Sequence, residues 1–186
     1  MEDLSRSGSY SETTITELMI PSYANFGGKI HGGMLLSLMD KVAYACASKH
    51  AGNYCVTVSV DGVDFLQPIE VGELVSLKAR INYVGKTSLV VGIKVIAENV
   101  KEGIVKHTNT CFFTMVAKNE KNKLVEVPKL ILQTKVDVRR FMEAIIRKYL
   151  KKQHKSEMSA AKIKFNTSSM IKKLEGERCI ISLNDD

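Results

Sequence analysis

The sequence predicts an α+β fold in which an antiparallel sheet of about five strands wraps around one central helix. Two observations lead to this prediction. Between Pro68 and Pro128, apolar and polar residues alternate in three successive stretches, which is the period of half-buried strands. Upstream, Gly33 is followed by one long helical segment that is apolar on most sides. With 186 residues, 45% of them hydrophobic and 25% charged, the chain can bury a substantial core.

The strand predictions rest on this alternation and on short polar links, which make neighbouring strands antiparallel. A turn at residues 84–87 joins two of the strands, and a polar connection at residues 98–103 leads to the next. Gly62 interrupts an alternating stretch and indicates a bulge. The predicted strands cover residues 9–20 as an edge strand, 56–65, 74–83, 89–97 and 105–116.

The predicted central helix follows Gly33 and carries two apolar faces, so we expect it to be buried on most sides. One face is marked by Leu35, Leu38, Val42 and Ala45, and the other by Leu36, Met39, Ala43 and Cys46.

The composition changes after Pro128, which predicts a domain at residues 1–130 and a basic, helical C-terminal extension at 131–186. The net charge is +7. Residues 118–186 hold 17 Lys and Arg against 9 Asp and Glu, whereas residues 1–117 hold 10 against 11. An apolar stripe from Val138 to Tyr149 predicts an amphipathic helix, and residues 157–175 a second, short one. The basic extension either forms a solvated surface or attracts anionic partners.

Several functional classes are excluded by missing motifs. The sequence has no apolar run of ~20 residues for a membrane span and no secretory signal. Its four cysteines lack zinc-site spacing, so they predict buried free thiols in a reducing compartment, the cytoplasm. Gly85-Lys86-Thr87-Ser88 resembles the end of a phosphate-binding P-loop, but that motif needs a glycine where Arg80 stands. No metal site and no cofactor are predicted.

Two features could carry chemistry. Four of the 12 glycines fall within residues 25–33, directly before the helix, whose free N–H groups suit an anion or a developing oxyanion. The alternative is a turn that only lets the helix pack closely. Asp40 is the only acid between Glu17 and Asp61 and lies within the apolar helix. A buried carboxylate is costly, so it is either satisfied by Lys41 or a backbone N–H, or it acts as a base or nucleophile.

With these residues in place, the sequence resembles the acyl-CoA thioester hydrolases of the hot-dog fold over about residues 10–130. The motifs that carry the resemblance are Pro21-x-x-Ala24-Asn25-x-x-Gly28-x-Ile30-His31-Gly32-Gly33 with Leu35, Met39 and Asp40, then Val56-Thr57-Val58-Ser59-Val60-Asp61, Asp64-Phe65-Leu66-x-Pro68-Ile69, Val71-Gly72-Glu73, Gly85-Lys86-Thr87-Ser88, Phe112-Phe113-Thr114-Met115-Val116-Ala117 and Val127-Pro128.

The resemblance implies an enzyme of fatty acid metabolism that hydrolyses fatty acyl-CoA to a free fatty acid and CoA, without a cofactor. Asn25 matches the active-site asparagine and Asp40 the catalytic aspartate, which meet across a dimer interface. A homodimer or a trimer of dimers, a hexamer, is therefore expected. The N–H groups of Gly32 and Gly33 would hold the thioester oxygen. Asp40 would act as general base or as nucleophile through an anhydride.

The family match also implies roles for two further segments. The turn formed by Gly85, Lys86, Thr87 and Ser88 would bind CoA. His31 is expected to hydrogen-bond the glycine-rich loop rather than to take part in catalysis.

Two rival functions stay open at this point. The hot-dog fold also hosts enoyl-CoA hydratases and dehydratases, whose pattern has an acid five residues before a histidine, where this chain has Phe26 before His31. The other rival is a non-catalytic protein that binds acyl-CoA or nucleic acid through its basic extension. That extension has only three aromatic residues and no recognised nucleic-acid motif, so no nucleic acid is expected.

Overall fold

The computed structural model describes residues 4–163 and 166–183. The described chain falls into two compact units that are divided after Ala144. The domain boundary predicted after residue 130 stays a prediction, and residues 131–144 belong to the first unit.

Seven strands are found in the described residues, and five of them form one antiparallel sheet in the order β2-β4-β5-β6-β3. The other two, β1 and β7, pair in parallel with each other. The strands are β1 (Ser5–Ser7), β2 (Thr13–Leu18), β3 (Tyr54–Asp61), β4 (Leu74–Val84), β5 (Ser88–Asn99), β6 (Ile104–Lys118) and β7 (Lys129–Ile131). The prediction of about five antiparallel strands is confirmed, including the edge position of β2.

Two local predictions about strands were wrong. The bulge in β3 lies between Thr57 and Ser59, not at Gly62, and the strand ends at Asp61 instead of resuming. The edge strand begins only at Thr13, because Ser7 accepts a hydrogen bond from the Tyr10 N–H and caps a short helix before it.

The helices in the described residues are α1 (Gly8–Ser11), α2 (Gly32–Ala51), α3 (Lys135–Ile163) and α4 (Thr167–Ile171), with 3₁₀ turns at Pro21–Tyr23 and Lys172–Leu174. The predicted central helix is confirmed as α2. The separate helix predicted at residues 157–175 was wrong in its bounds, because α3 continues through its first part; residues 164 and 165 of that range lie outside the described residues.

The core lies between α2 and one face of the sheet. Helix residues such as Leu38, Met39 and Val42 are buried against the inward residues of the strands, which include Leu77 and Ile93. Burial of these apolar side chains stabilises the fold and fixes the orientation of α2 on the sheet. A long helix packed against one face of a five-stranded antiparallel sheet is the arrangement that the resemblance to the hot-dog fold implies.

The start of α3 is held on the sheet by a buried ion pair. Asp137 Oδ2 accepts hydrogen bonds from the N–H groups of Gln133 and Thr134, and Thr134 Oγ1 accepts one from the Asp137 N–H. Arg80 donates to Asp137 Oδ1 over 2.7 Å. Although burial favours the protonated acid, the Thr134 hydrogen bonds and the Arg80 charge prevail and lower the pKa of Asp137.

The end of α2 is capped by the N-terminal segment. Arg6 Nη1 donates hydrogen bonds of 2.7 Å to the carbonyls of Lys49 and His50, which have no partners within the helix. Gly52 follows with φ of 67°, a left-handed conformation that favours glycine. His50 is fully buried, and its Nε2 lies 3.2 Å from the Pro128 carbonyl oxygen. Since a carbonyl can only accept, Nε2 carries the proton. Burial lowers the pKa of His50.

The cysteine prediction holds for three of the four residues. Cys46, Cys55 and Cys111 are buried free thiols, and burial raises the pKa of Cys46 and Cys111 to about 12. Cys179 is exposed, so the prediction that it is buried was wrong.

Candidate active site

The loop before α2 is organised by the side chain of Asn25. Its Oδ1 accepts hydrogen bonds from the N–H groups of Gly27 at 2.9 Å and Lys29 at 3.2 Å. The Asn25 backbone closes the same loop, with its N–H donating to the Lys29 carbonyl. Because both bonds use the oxygen, the side-chain NH₂ is the end of the amide that is left to bind a ligand, and the residue is exposed.

His31 is the N-cap residue of α2. The sequence predicted that it would form a hydrogen bond with the glycine-rich loop. Its Nδ1 accepts a hydrogen bond of 2.9 Å from the Gly33 N–H. A Cβ at position 33 would lie 3.0 Å from the His31 ring, so glycine permits this close approach. The prediction that the Gly33 N–H holds the thioester oxygen needs correction, because in this structure that donor already has an acceptor.

Gly32 opens the helix, and its N–H has no acceptor among the described residues. A Cβ at this position would come within 3.2 Å of the Phe65 ring, which packs over the start of the helix. Gly32 therefore offers the unpaired donor, together with the partial positive charge of the helix N-terminus.

Asp40 lies two turns into α2 and is hydrogen-bonded to strand β3. Thr57 Oγ1 donates to Asp40 Oδ1 over 2.6 Å, the short distance of a charge-assisted bond. Both partners proposed for Asp40 from the sequence, Lys41 and a backbone N–H, were therefore wrong. Thr57 was missed because its place in an alternating strand made it look like an ordinary outward polar residue.

The expectation that Asp40 is buried was also wrong for the single chain. Asp40 is exposed, and so are its neighbours one turn away on the same face, Leu36 and Tyr44. The helix is thus apolar on a side that its own sheet leaves uncovered. Asp40 itself helps to line a cavity of about 430 Å³, together with Lys41, Tyr44, Tyr54, Cys55, Val56, Thr57 and Met115.

The predicted CoA-binding turn joins β4 to β5. The Gly85 N–H donates to the Ser88 carbonyl, and the carbonyls of Lys86 and Thr87 accept from Val127 and Ala117. Lys86 is exposed and has no ion-pair partner among the described residues. Leu89, two residues after Thr87, pairs with Met115, which pairs with Thr57. The turn therefore lies near the same end of the sheet as Thr57.

The structure does not bring all the predicted residues together in one chain. Asp40 is eight residues beyond Gly32, which is ~12 Å along a helix. No hydrogen bond joins Asn25 to Asp40 within the described residues. One chain therefore holds the predicted residues in two separate groups, with Asn25 and Gly32 in one and Asp40 and Thr57 in the other.

Among the described residues, no helix combines the length and the hydrophobicity that a membrane span needs. No group of three or more His, Cys, Asp or Glu side chains in the described ranges is arranged to hold a metal ion.

A model of the thioesterase superfamily matches residues 27–104. Protein VdlD of Helicobacter pylori is 48% identical over 134 residues, which are 72% of this chain and 76% of VdlD. An uncharacterised acyl-CoA thioester hydrolase of Bacillus subtilis, YkhA, is 32% identical over 150 residues, 81% of this chain and 87% of YkhA. The chain belongs to the acyl-CoA thioester hydrolase family. The predictions of family and enzyme class are confirmed.

Solved structures of acyl-CoA thioester hydrolases have the same fold. A hexameric acyl-CoA thioesterase is 34% identical, with a TM-score of 0.79 over 81% of this chain and 97% of that one. The acyl-CoA hydrolase of Staphylococcus aureus, in complex with butyryl-CoA, CoA and CoA disulfide, is 28% identical, with a TM-score of 0.76 over 84% and 95%. The hot-dog prediction is confirmed. Structures of the S. aureus hydrolase also include three alanine variants, which replace an asparagine, an aspartate and a threonine.

Proposed function

We propose that this acyl-CoA thioester hydrolase cleaves fatty acyl-CoA in sites shared between two chains. Each site takes Asn25 and Gly32 from one chain and Asp40 and Thr57 from the other. The products are a free fatty acid and CoA, which would place the enzyme in fatty acid metabolism. We keep the cytoplasm as the proposed location, since the core cysteines are free thiols.

The observation that carries this proposal is a match of residue type and spacing. The three residues replaced in the S. aureus hydrolase are an asparagine, an aspartate 15 positions later and a threonine 17 positions after that. Asn25, Asp40 and Thr57 have the same identities and the same spacings. The sequence resemblance selected the first two, and the hydrogen bond between Thr57 and Asp40 independently selects the third.

Asp40 has the geometry of a base or a nucleophile. Thr57 binds Oδ1, which orients the carboxylate and leaves Oδ2 for the reaction. As a base, Asp40 takes a proton from water, the hydroxide attacks the carbonyl carbon, and the C–S bond breaks as the CoA thiolate leaves. As a nucleophile, Asp40 displaces the thiolate itself and forms an anhydride, which water then hydrolyses. The same position of Asp40 allows both routes.

The thioester oxygen needs donors where its negative charge develops. The free NH₂ of Asn25 and the unpaired N–H of Gly32 supply two such donors, on a loop held in place by the hydrogen bonds of Asn25 Oδ1. Gly33 contributes indirectly, because it allows His31 to cap the helix.

The distance between Gly32 and Asp40 supports a second chain in each site. Since Gly32 and Asp40 lie ~12 Å apart along α2, one carbonyl cannot bind both in a single chain. The single chain also leaves surface for a partner: β3 is an edge strand with Val58 and Val60 exposed, next to the uncovered Leu36 and Tyr44 on α2. An exposed apolar edge strand favours pairing with another chain. A homodimer, or a hexamer like the thioesterase compared above, fits these surfaces.

Two features near Asp40 suit the two parts of the substrate. The cavity beside Asp40 has Tyr44, Tyr54, Val56 and Met115 in its lining, which suits an acyl chain. The turn at Gly85, Lys86, Thr87 and Ser88 offers an exposed ammonium group near the same end of the sheet, which suits a CoA phosphate.

The experiment that tests the function is the release of CoA thiol from acyl-CoA substrates of increasing chain length. Asp40→Asn keeps the shape of the side chain but removes the base, so kcat should fall by roughly 10²–10⁴. Glu102→Gln, which replaces an exposed acid by its amide in the link between β5 and β6, is the matched control for the loss of a charge. Near-normal turnover by a folded Asp40→Asn protein would defeat the proposal.

A further inference from the structure

The loop that follows β3 packs an aromatic side chain over the first residue of α2. Phe65 belongs to residues 62–68, which lie in neither a helix nor a strand. A Cβ on Gly32 would come within 3.2 Å of the Phe65 ring, so the ring lies directly against the glycine that has the unpaired N–H. Both residues help to line a cavity of about 380 Å³, together with Leu35. The position of Phe65 therefore decides how far water reaches this N–H.

Two hydrogen bonds tie this loop to β6. The Leu66 N–H donates to the Thr108 carbonyl over 3.1 Å. Asn109 Nδ2 donates to the Asp64 carbonyl over 2.7 Å. The two bonds hold the residues on either side of Phe65, so the direction of its ring depends on a strand that is distant in sequence.

A bulge in β6 makes this anchoring possible. Between two successive residues of β5, the register jumps from Asn109 to His107, so Thr108 has no partner in the ladder. Thr108 and Asn109 are consecutive and both fully buried, in contrast to the alternating faces of a regular strand. A bulge redirects side chains and takes a residue out of the pairing of the sheet. Here it makes the Thr108 carbonyl and the Asn109 amide available to the loop.

Packing alone does not explain an asparagine at position 109. Since a carbonyl can only accept, the nitrogen of the amide faces Asp64, and Oδ1 is then buried with no partner among the described residues. Burying an acceptor without a donor is unfavourable. A leucine has a similar branched shape and would fill this space without an unpaired polar atom. What the asparagine adds is one directed hydrogen bond to the loop.

We propose that Asn109 is a positioning residue for the thioester-binding part of the site. Through the Asp64 carbonyl it holds Phe65 against Gly32, which keeps water away from the N–H that would hold the thioester oxygen. A preorganised donor stabilises a developing charge more strongly where water is excluded. This inference rests on the proposed function, because it assigns Asn109 a part in the same reaction. Since Gly32 would meet the thioester and not the far end of the acyl chain, the contribution of Asn109 is the same for short and long substrates.

The chain contains no tryptophan, so the position of the loop can be measured independently of turnover. Phe65→Trp places a single fluorophore against Gly32. When Asn109→Leu is added, the emission should shift to longer wavelength and the anisotropy should fall, because the loop loses one of its two bonds to β6. Asn82→Leu, the same exchange at a buried asparagine on β4, is the control and should leave the fluorescence unchanged. An unchanged signal in the Asn109→Leu protein would overturn the inference.

The kinetic test uses the proteins without tryptophan and compares a short-chain with a long-chain acyl-CoA. Asn109→Leu should lower kcat about tenfold for both substrates, with little change in KM. Its free energy of unfolding should not fall, because the leucine also removes the unpaired Oδ1. Asn109→Ala, which adds no bulk, should give the same loss of kcat, whereas Asn82→Leu should keep the wild-type kcat.

Three results would contradict the positioning role of Asn109. They are a normal kcat in both Asn109 variants, a loss of kcat that only follows a loss of stability, and a loss confined to the long substrate, which would place Phe65 at the acyl chain instead. If the wild-type protein released no thiol from any acyl-CoA, the proposed function itself would fail. The fluorescence comparison would still decide whether Asn109 holds the loop.

Discussion

Thr57 Oγ1 and Asp40 Oδ1 are 2.6 Å apart, and their hydrogen bond joins the edge strand β3 to the middle of the central helix. The carboxylate is otherwise exposed, so this bond is what fixes its direction. A short bond from a hydroxyl to a carboxylate is among the stronger ones in proteins. The structure thus assigns Thr57 as a positioning residue for Asp40.

Replacing Thr57 should separate positioning from packing. Thr57→Val keeps the shape but loses the donor, so kcat should fall by about 10-fold, while KM changes little. Thr57→Ser restores the hydroxyl and should recover most of the activity. Steady-state kinetics with one acyl-CoA measures both. If Thr57→Val and Thr57→Ser lose the same activity, the methyl group and not the hydrogen bond matters.

The shared site can be tested by mixing inactive chains. Asn25→Ala and Asp40→Ala chains should each be nearly inactive alone, because every site in either dimer lacks one residue. After unfolding and refolding together, mixed dimers have one site with both residues intact, so activity should return to about a quarter of the wild-type value for random pairing. Activity that does not return in a mixture shown by sedimentation to contain mixed dimers would contradict the two-chain site.

The cap of α2 should affect stability more than chemistry. His31→Ala removes the acceptor for the Gly33 N–H and should cost about 1 kcal/mol in the free energy of unfolding. His31→Asn offers another acceptor and should recover most of it. Urea unfolding at one fixed protein concentration provides the comparison, because stability of an oligomer depends on concentration. A loss of kcat without any loss of stability would instead indicate a catalytic histidine.

Buried His50 predicts a pH dependence of stability. Its pKa in the folded chain is lower than its ordinary value of about 6.5, so the unfolded chain binds a proton first as the pH falls. The contribution of neutral His50 is complete above pH ~6.5 and is lost as the pH falls through that value toward the folded pKa. His50→Gln keeps a donor for the Pro128 carbonyl but cannot titrate. Denaturant unfolding between about pH 5 and 7.5 should show a smaller slope for this variant than for the wild type.

Much of the fold could be predicted because local patterns and packing agree. In β4 as far as Ile81, in β5, and in β6 from Asn109 onward, the alternation matches the inward and outward faces of the sheet. The bulge in β3 could not be predicted, because Gly62 is the residue that looks irregular, whereas the register actually shifts beside Val58. A bulge depends on the pairing partner, which the sequence of a single strand does not contain.

In the candidate site, too, some features could be predicted from the sequence and others could not. The glycine-rich loop and Asp40 could be selected from the residues alone, because such a loop and a lone acid in an apolar helix are both unusual; Asn25 was selected by the family resemblance. The exposure of Asp40 could not be predicted from the sequence, because an apolar helix face is covered in some proteins by the chain's own sheet and in others by a second chain. Thr57 was missed for a related reason: the role of a polar residue in a strand depends on the residue that it contacts in another element.

The parallel pair of β1 and β7 has a consequence for how the chain is made. Ser5 pairs with Lys129, and the Lys129 N–H donates to the Leu4 carbonyl, so the beginning of the domain is completed by residues more than a hundred positions later. During synthesis, the first residues must wait until this late segment has left the ribosome. Contacts of such long sequence separation form slowly, because a large loop has to close first. Arg6, which caps the central helix from the same strand, is thus expected to dock among the last steps of folding.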